Sequence, residues 1–62
     1  MEAKEFIGLS KKRAQNVAEE RNLIFRLIRN DTEQFFAYPD DKRTDRVCVE
    51  IDNGKVSKAV FQ

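Results

Sequence analysis

Catalysis near neutral pH needs a base or nucleophile whose pKa lies close by, and this chain holds no histidine. The remaining candidates are Cys48, the carboxylates, the lysines and Tyr38. Cys48 has no histidine to take its proton, so it reads as an ordinary thiol that packs or lies partly exposed. Asp40 and Asp41 are adjacent in sequence, a spacing that rarely brings two carboxylates onto one scissile bond or one cation. Gly8 and Gly54 are the two glycines and stand far apart, so no glycine-rich phosphate loop is encoded. A single cysteine and no histidine leave no Cys/His metal set. The expectation is a protein that is not an enzyme and carries no cofactor and no metal.

Binding is the class that remains. Asp40, Asp41, Lys42, Arg43, Asp45 and Arg46 crowd into one polar stretch over 39–45 and its border. Such charges can cross-link a loop through charge-assisted hydrogen bonds, or they can form a plain solvated run. A loop held in its bound shape loses less entropy on association, which gives a small scaffold its best route to affinity. Twelve basic residues against eleven acidic ones give a net charge of +1, too little for the phosphate attraction of most nucleic-acid binders. Lys11, Lys12 and Arg13 form one basic cluster, read either as a patch for an anion or as a solvated helix end. One cysteine cannot make an intrachain disulfide, which fits a reducing, cytoplasmic setting. No apolar run is long enough for a membrane span or a signal segment, so a soluble, unprocessed chain is expected.

These residues need elements to hold them. With 62 residues, 40% of them apolar and 37% charged, the chain suits one small domain over 1–62 with a modest core and thin stability. Ser10 is a good N-cap for a helix over 11–21, whose small apolar stripe of Ala14, Val17 and Ala18 suits close packing on a sheet. Asn22 can end it. Residues 23–29 are bulky and rich in β-formers, which predicts a central strand. Asn30, Asp31 and Thr32 are turn-prone, and Phe35, Phe36, Ala37 and Tyr38 can extend before Pro39. Val47, Val49 and Ile51 alternate with Arg46, Cys48 and Glu50, the period of a strand with one buried face. Asp52, Asn53, Gly54 and Lys55 then suit a tight hairpin, with 56–61 running back antiparallel. The inward face of that last strand is divided between Val56 with Val60 and Ala59 with Phe61. The reading is an α+β fold: a single N-terminal helix on a small mixed sheet of three to four strands, with an extended loop before the C-terminal hairpin.

Phe6, Ile7, Gly8, Leu9 and Ser10, followed by Ala14, resemble the opening of the potato inhibitor I family of serine-protease inhibitors and its small bacterial relatives. Arg43, Thr44, Asp45, Arg46 and Val47, then Val49, Ile51 and Asp52, resemble that family's passage from reactive loop to following strand. Asn53, Gly54, Lys55 and Val56 extend the likeness. It covers most of the chain in the same order, and order and spacing rather than any one motif carry it. The resemblance implies an extended loop offered to a protease cleft and propped by arginines, with Arg43 and Arg46 in two of the supporting places. Counted back from Arg43, Asp40 falls at the family's primary specificity position and Asp41 after the scissile bond. Cys48 stands where members often carry a further arginine. The segment before Arg43 is longer than in the plant inhibitors, so Tyr38 or Phe36 is an alternative presented residue.

The expected function is therefore a serine-protease inhibitor-like binding protein with a loop over about 36–46. Tyr38, Pro39, Asp40, Asp41 and Lys42 form the binding stretch, and Arg43, Asp45 and Arg46 support it. The alternative is a small protein–protein interaction module, or a homodimer, that binds through an exposed strand edge or through Phe35, Phe36 and Tyr38 and has no protease target. Buried aromatics with a projecting 39–45 favour the first reading; aromatics exposed on a flat face favour the second.

Overall fold

The computed structural model describes residues 2–62. A 3-10 turn at Ala3–Phe6 precedes the helix α1 (Lys11–Glu20), and four strands follow: β1 (Ile24–Asn30), β2 (Glu33–Gln34), β3 (Arg46–Asp52) and β4 (Lys55–Phe61). The Ser10 hydroxyl accepts the amide of Arg13 at 3.2 Å, supplying a partner to a first-turn donor that the helix cannot satisfy itself. At the other end Asn22 takes φ 58°. The amides of Asn22 and Leu23 turn back to the carbonyls of Glu19 (3.1 Å) and Ala18 (2.8 Å), the two bonds of a Schellman stop. The helix therefore closes one residue earlier than expected. Lys11, Lys12 and Arg13 are exposed at its start.

The strands form one mixed sheet in the order β2-β1-β3-β4, with β1 parallel to β3 and the other pairs antiparallel. A single helix packs on this sheet, as the α+β reading requires. Ala14 and Ala18 bring α1 close enough for Phe6, Val47, Val49, Ile51 and Val56 to bury completely. Val17, Leu23, Phe25, Leu27, Ala59 and Phe61 pack around them. The turn Asn53-Gly54, both at positive φ, joins β3 to β4. Gly8, at φ 90°, bends the N-terminal segment onto β4, where its amide reaches the Val56 carbonyl and the Val56 amide reaches Leu9, both at 2.8 Å.

Both candidate inward faces of β4 contribute to the core. The register passes from Glu50↔Lys58 to Ile51↔Val56, so Ser57 is an extra residue and the side-chain phase reverses there. Val56, Ala59 and Phe61 all turn toward α1, and Val60 lies opposite Cys48. A second irregularity, between Leu27↔Val49 and Arg29↔Glu50, skips Ile28 on β1. The central strand runs one residue later than expected. Residues 35–38 do not form a strand; the added strand is β2, which pairs with Arg29 and Asn30 only. No helix of the described residues is long and apolar enough to cross a membrane.

Candidate functional site

The alternation that sends Val47, Val49 and Ile51 toward α1 turns Arg46, Cys48, Glu50 and Asp52 to the opposite face of the sheet. Cross-strand neighbours add Arg26 and Val60 beside Cys48, and Arg29 and Lys58 beside Glu50. The connection from β2 to β3 crosses this polar face. The guanidinium of Arg26 sits 4.7 Å from the centroid of the Phe36 ring, and the Lys58 ammonium 5.0 Å from that of Tyr38. The Tyr38 hydroxyl donates to Glu50 Oε2. Cys48 is 0% exposed yet lies outside the cluster under the helix, because the crossing connection covers it. Burial raises its thiol pKa, so no thiolate is offered to solvent.

Two tethers then fix the next stretch. Gln62 Nε2 donates to the Pro39 carbonyl at 2.6 Å. Arg46 Nη2 donates to Asp41 Oδ1 at 3.1 Å, to the Asp41 carbonyl at 3.4 Å and to the Gln62 carbonyl. Arg46 is only 8% exposed, and its Nε is buried without a partner. Beside that guanidinium the Asp41 carboxyl is held below the usual aspartate range. Arg46 thus joins Asp41 to the residue after β4. Arg43 makes its side-chain bonds within the stretch. It folds onto Asp45 in a two-bond pair, Nε to Oδ1 and Nη2 to Oδ2, each 2.8 Å, and supports the loop through its amide, 3.4 Å from the Gln62 carbonyl. Asp45 holds Arg43, and its carbonyl accepts the Ile24 amide at 2.8 Å, closing the connection against the start of β1.

The expected binding residues separate into two groups. Tyr38 and Pro39 are half-buried anchors on the sheet face, whereas Asp40, Asp41 and Lys42 are exposed. Phe35 and Phe36 are 47% and 50% exposed, with their amides directed at the Ile28 carbonyl. The sequence reading missed Gln62, Glu50 and Arg29. Arg29 spans Glu50 and Asp52: Nε reaches Glu50 Oε1 and the two terminal nitrogens reach Asp52, all at 2.8 Å. With the Ser57 hydroxyl on Asp52 Oδ2 (2.6 Å), this pair lowers the Asp52 pKa to about 2. Glu50 is lowered too, by the Tyr38 hydroxyl first and Arg29 second. Glu50 was legible as an outward-facing residue of an alternating strand; Gln62 carried no pattern at all.

The arrangement offers a short backbone stretch, 39–45, gripped from β3, from the residue after β4 and from the start of β1. No protein-family model, curated protein or solved structure matches this chain. Among the described residues no three His, Cys, Asp or Glu side chains stand close enough to hold a metal ion.

Proposed function

We propose that this chain is a loop-presenting inhibitor of serine proteases of the potato inhibitor I type, acting without a cofactor and without chemistry of its own. One observation carries the reading: the connection between the parallel strands β1 and β3 is exposed at Asp40–Asp41 yet tethered on both sides, at Pro39 by Gln62 and at Asp41 by Arg46. A segment fixed in this way enters a cleft with little further loss of freedom, and its bonds resist the distortion that peptide cleavage requires. The resemblance of 43–56 to the family's loop-and-strand passage supports the same reading. Purified protein at micromolar concentration is expected to inhibit at least one member of a panel of subtilisin-, chymotrypsin- and glutamate-specific proteases. A variant with 39–45 replaced by glycine and serine is expected to lose that inhibition. Absence of inhibition across the panel, or equal inhibition by the two proteins, contradicts the proposal.

Exposure of Phe35 and Phe36, with Ile24 at 47%, favours a second reading. β2 pairs with β1 only at Arg29 and Asn30, so among the described residues Ile24 to Leu27 have no strand neighbour on that side. A second copy of the chain adding a strand there would cover these side chains. Sedimentation velocity across a hundred-fold concentration range separates the two: a constant monomer supports the inhibitor reading, and a dimer abolished by Phe35→Ser and Phe36→Ser supports the module.

A further inference from the structure

Between the two tethered residues stands Asp40, exposed, and its carboxylate makes no hydrogen bond or ion pair with any described residue. Of the arginines nearest it in sequence, Arg46 pairs with Asp41 and Arg43 with Asp45, and the exposed Lys42 forms no ion pair with it among the described residues. The two other residues with a claim to being presented lie upstream of the tethers. Tyr38 has its hydroxyl on Glu50 and its ring beneath Lys58, and Phe36 has its ring against Arg26. The backbone on either side of Asp40 is therefore held, at Pro39 by Gln62 and at Asp41 by Arg46, while its own side chain is exposed and unpaired among the described residues.

A bare carboxylate on a clamped segment restricts the partner by charge. An apolar or anionic pocket would strip its hydration and return nothing, whereas a pocket holding a guanidinium, an ammonium or a protonated imidazole replaces water with charge-assisted bonds. The geometry points to Asp40 as the residue this loop presents, and to a serine protease with a cationic specificity pocket, one that cleaves after aspartate or glutamate, as its partner. The inference rests on the inhibitor reading and narrows it to one class of target. Asp41, following Asp40, keeps its own charge paired with Arg46 and so does not compete for the pocket.

The test uses the full chain and its Asp40→Asn, Asp40→Lys and Asp40→Leu variants against three purified proteases of acidic, basic and apolar specificity. Asp40 has no partner to lose, so all four proteins are expected to melt alike. The wild type is expected to inhibit the acid-specific protease most tightly. Asp40→Asn should weaken that inhibition at least ten-fold, about 1.4 kcal/mol. Asp40→Lys should transfer inhibition to the protease of basic specificity. Long incubation should yield a nicked chain whose new N-terminus is Asp41. Inhibition indifferent to the residue at 40, or a nick elsewhere, overturns the assignment of Asp40 and leaves the inhibitor reading standing. Inhibition of the apolar-specific protease by Asp40→Leu, with the wild type inert toward the acid-specific one, overturns the choice of target alone. No inhibition by any of the four proteins removes both.

Discussion

Arg46 holds a position that a charged side chain seldom occupies, 8% exposed in the middle strand pair of a small sheet, with one nitrogen serving three oxygens and Nε serving none. A buried unpaired donor costs about 1–3 kcal/mol, which offsets much of what the three bonds return. Arg46 is accordingly expected to contribute more to loop order than to global stability. Arg46→Met, of similar reach and no charge, should leave the melting temperature nearly unchanged while freeing Asp41; Arg46→Ala, which leaves a void, should cost about 2–4 kcal/mol. Urea melts and amide exchange of 40–43 check both, and a Met variant with an undisturbed loop contradicts the role given to Arg46. On the same face Asp52 has an ordinary pKa of 3.8 and a folded value of about 2, set by Arg29 first and Ser57 second. A lowered carboxylate adds stability above its unfolded pKa and loses it as pH falls through the folded one, so Asp52 supports the fold above about pH 4 and ceases to by about pH 2. Glu50 and Asp41 shift in the same direction and act with the same sign. Stability should stay level from neutral pH to about 4 and then fall. Asp52→Asn should be less stable at neutral pH and show a flatter acid limb in urea melts taken across that range. An unchanged limb contradicts the linkage.

Among the elements, the turn between β3 and β4 depends on Gly54 at φ 77°, where nothing lies within 4 Å of an added Cβ. Space is free there and conformation is not, so Gly54→Ala should destabilise by about 1 kcal/mol through backbone strain alone, measured by thermal melting. That turn was readable from Asn53-Gly54, as the helix was from Ser10 and Asn22 and β3 from its alternating valines: each is a local signal in which the residues that cause the element are the ones that form it. β4 was legible as a strand but its phase was not, because Ser57 inserts a bulge and puts Val56 on the same side as Ala59 and Phe61. β2 has two residues and no apolar side chain, so it leaves no period to read. The supports of the loop were half legible. Arg46 stood at the border of a strand in a charged run, whereas Gln62 meets Pro39 across 23 positions, and Tyr38 meets Glu50 across 12. Such partners depend on the parallel pairing of β1 with β3, which no single stretch of sequence encodes.

The molecule as a whole is a sheet packed on one face by α1 and crossed on the other by the segment through Phe36 and Tyr38 that leads into the stretch proposed to bind. In a chain this short that segment is also part of the fold, since Cys48 on the face it crosses is 0% exposed. Loosening the loop should therefore expose the thiol. Alkylation of Cys48 is expected to be slow in the native protein and to quicken on Gln62→Ala, before any global unfolding. Equal rates would mean that the connection does not cover that face. The central claim is that 40–43 is held as firmly as the strands it joins, and backbone amide NMR relaxation of the free protein measures this directly. Order parameters near 0.85, about those of β3, are the result expected of a preformed loop. Values below about 0.6 across these residues, with the strands rigid, would contradict it.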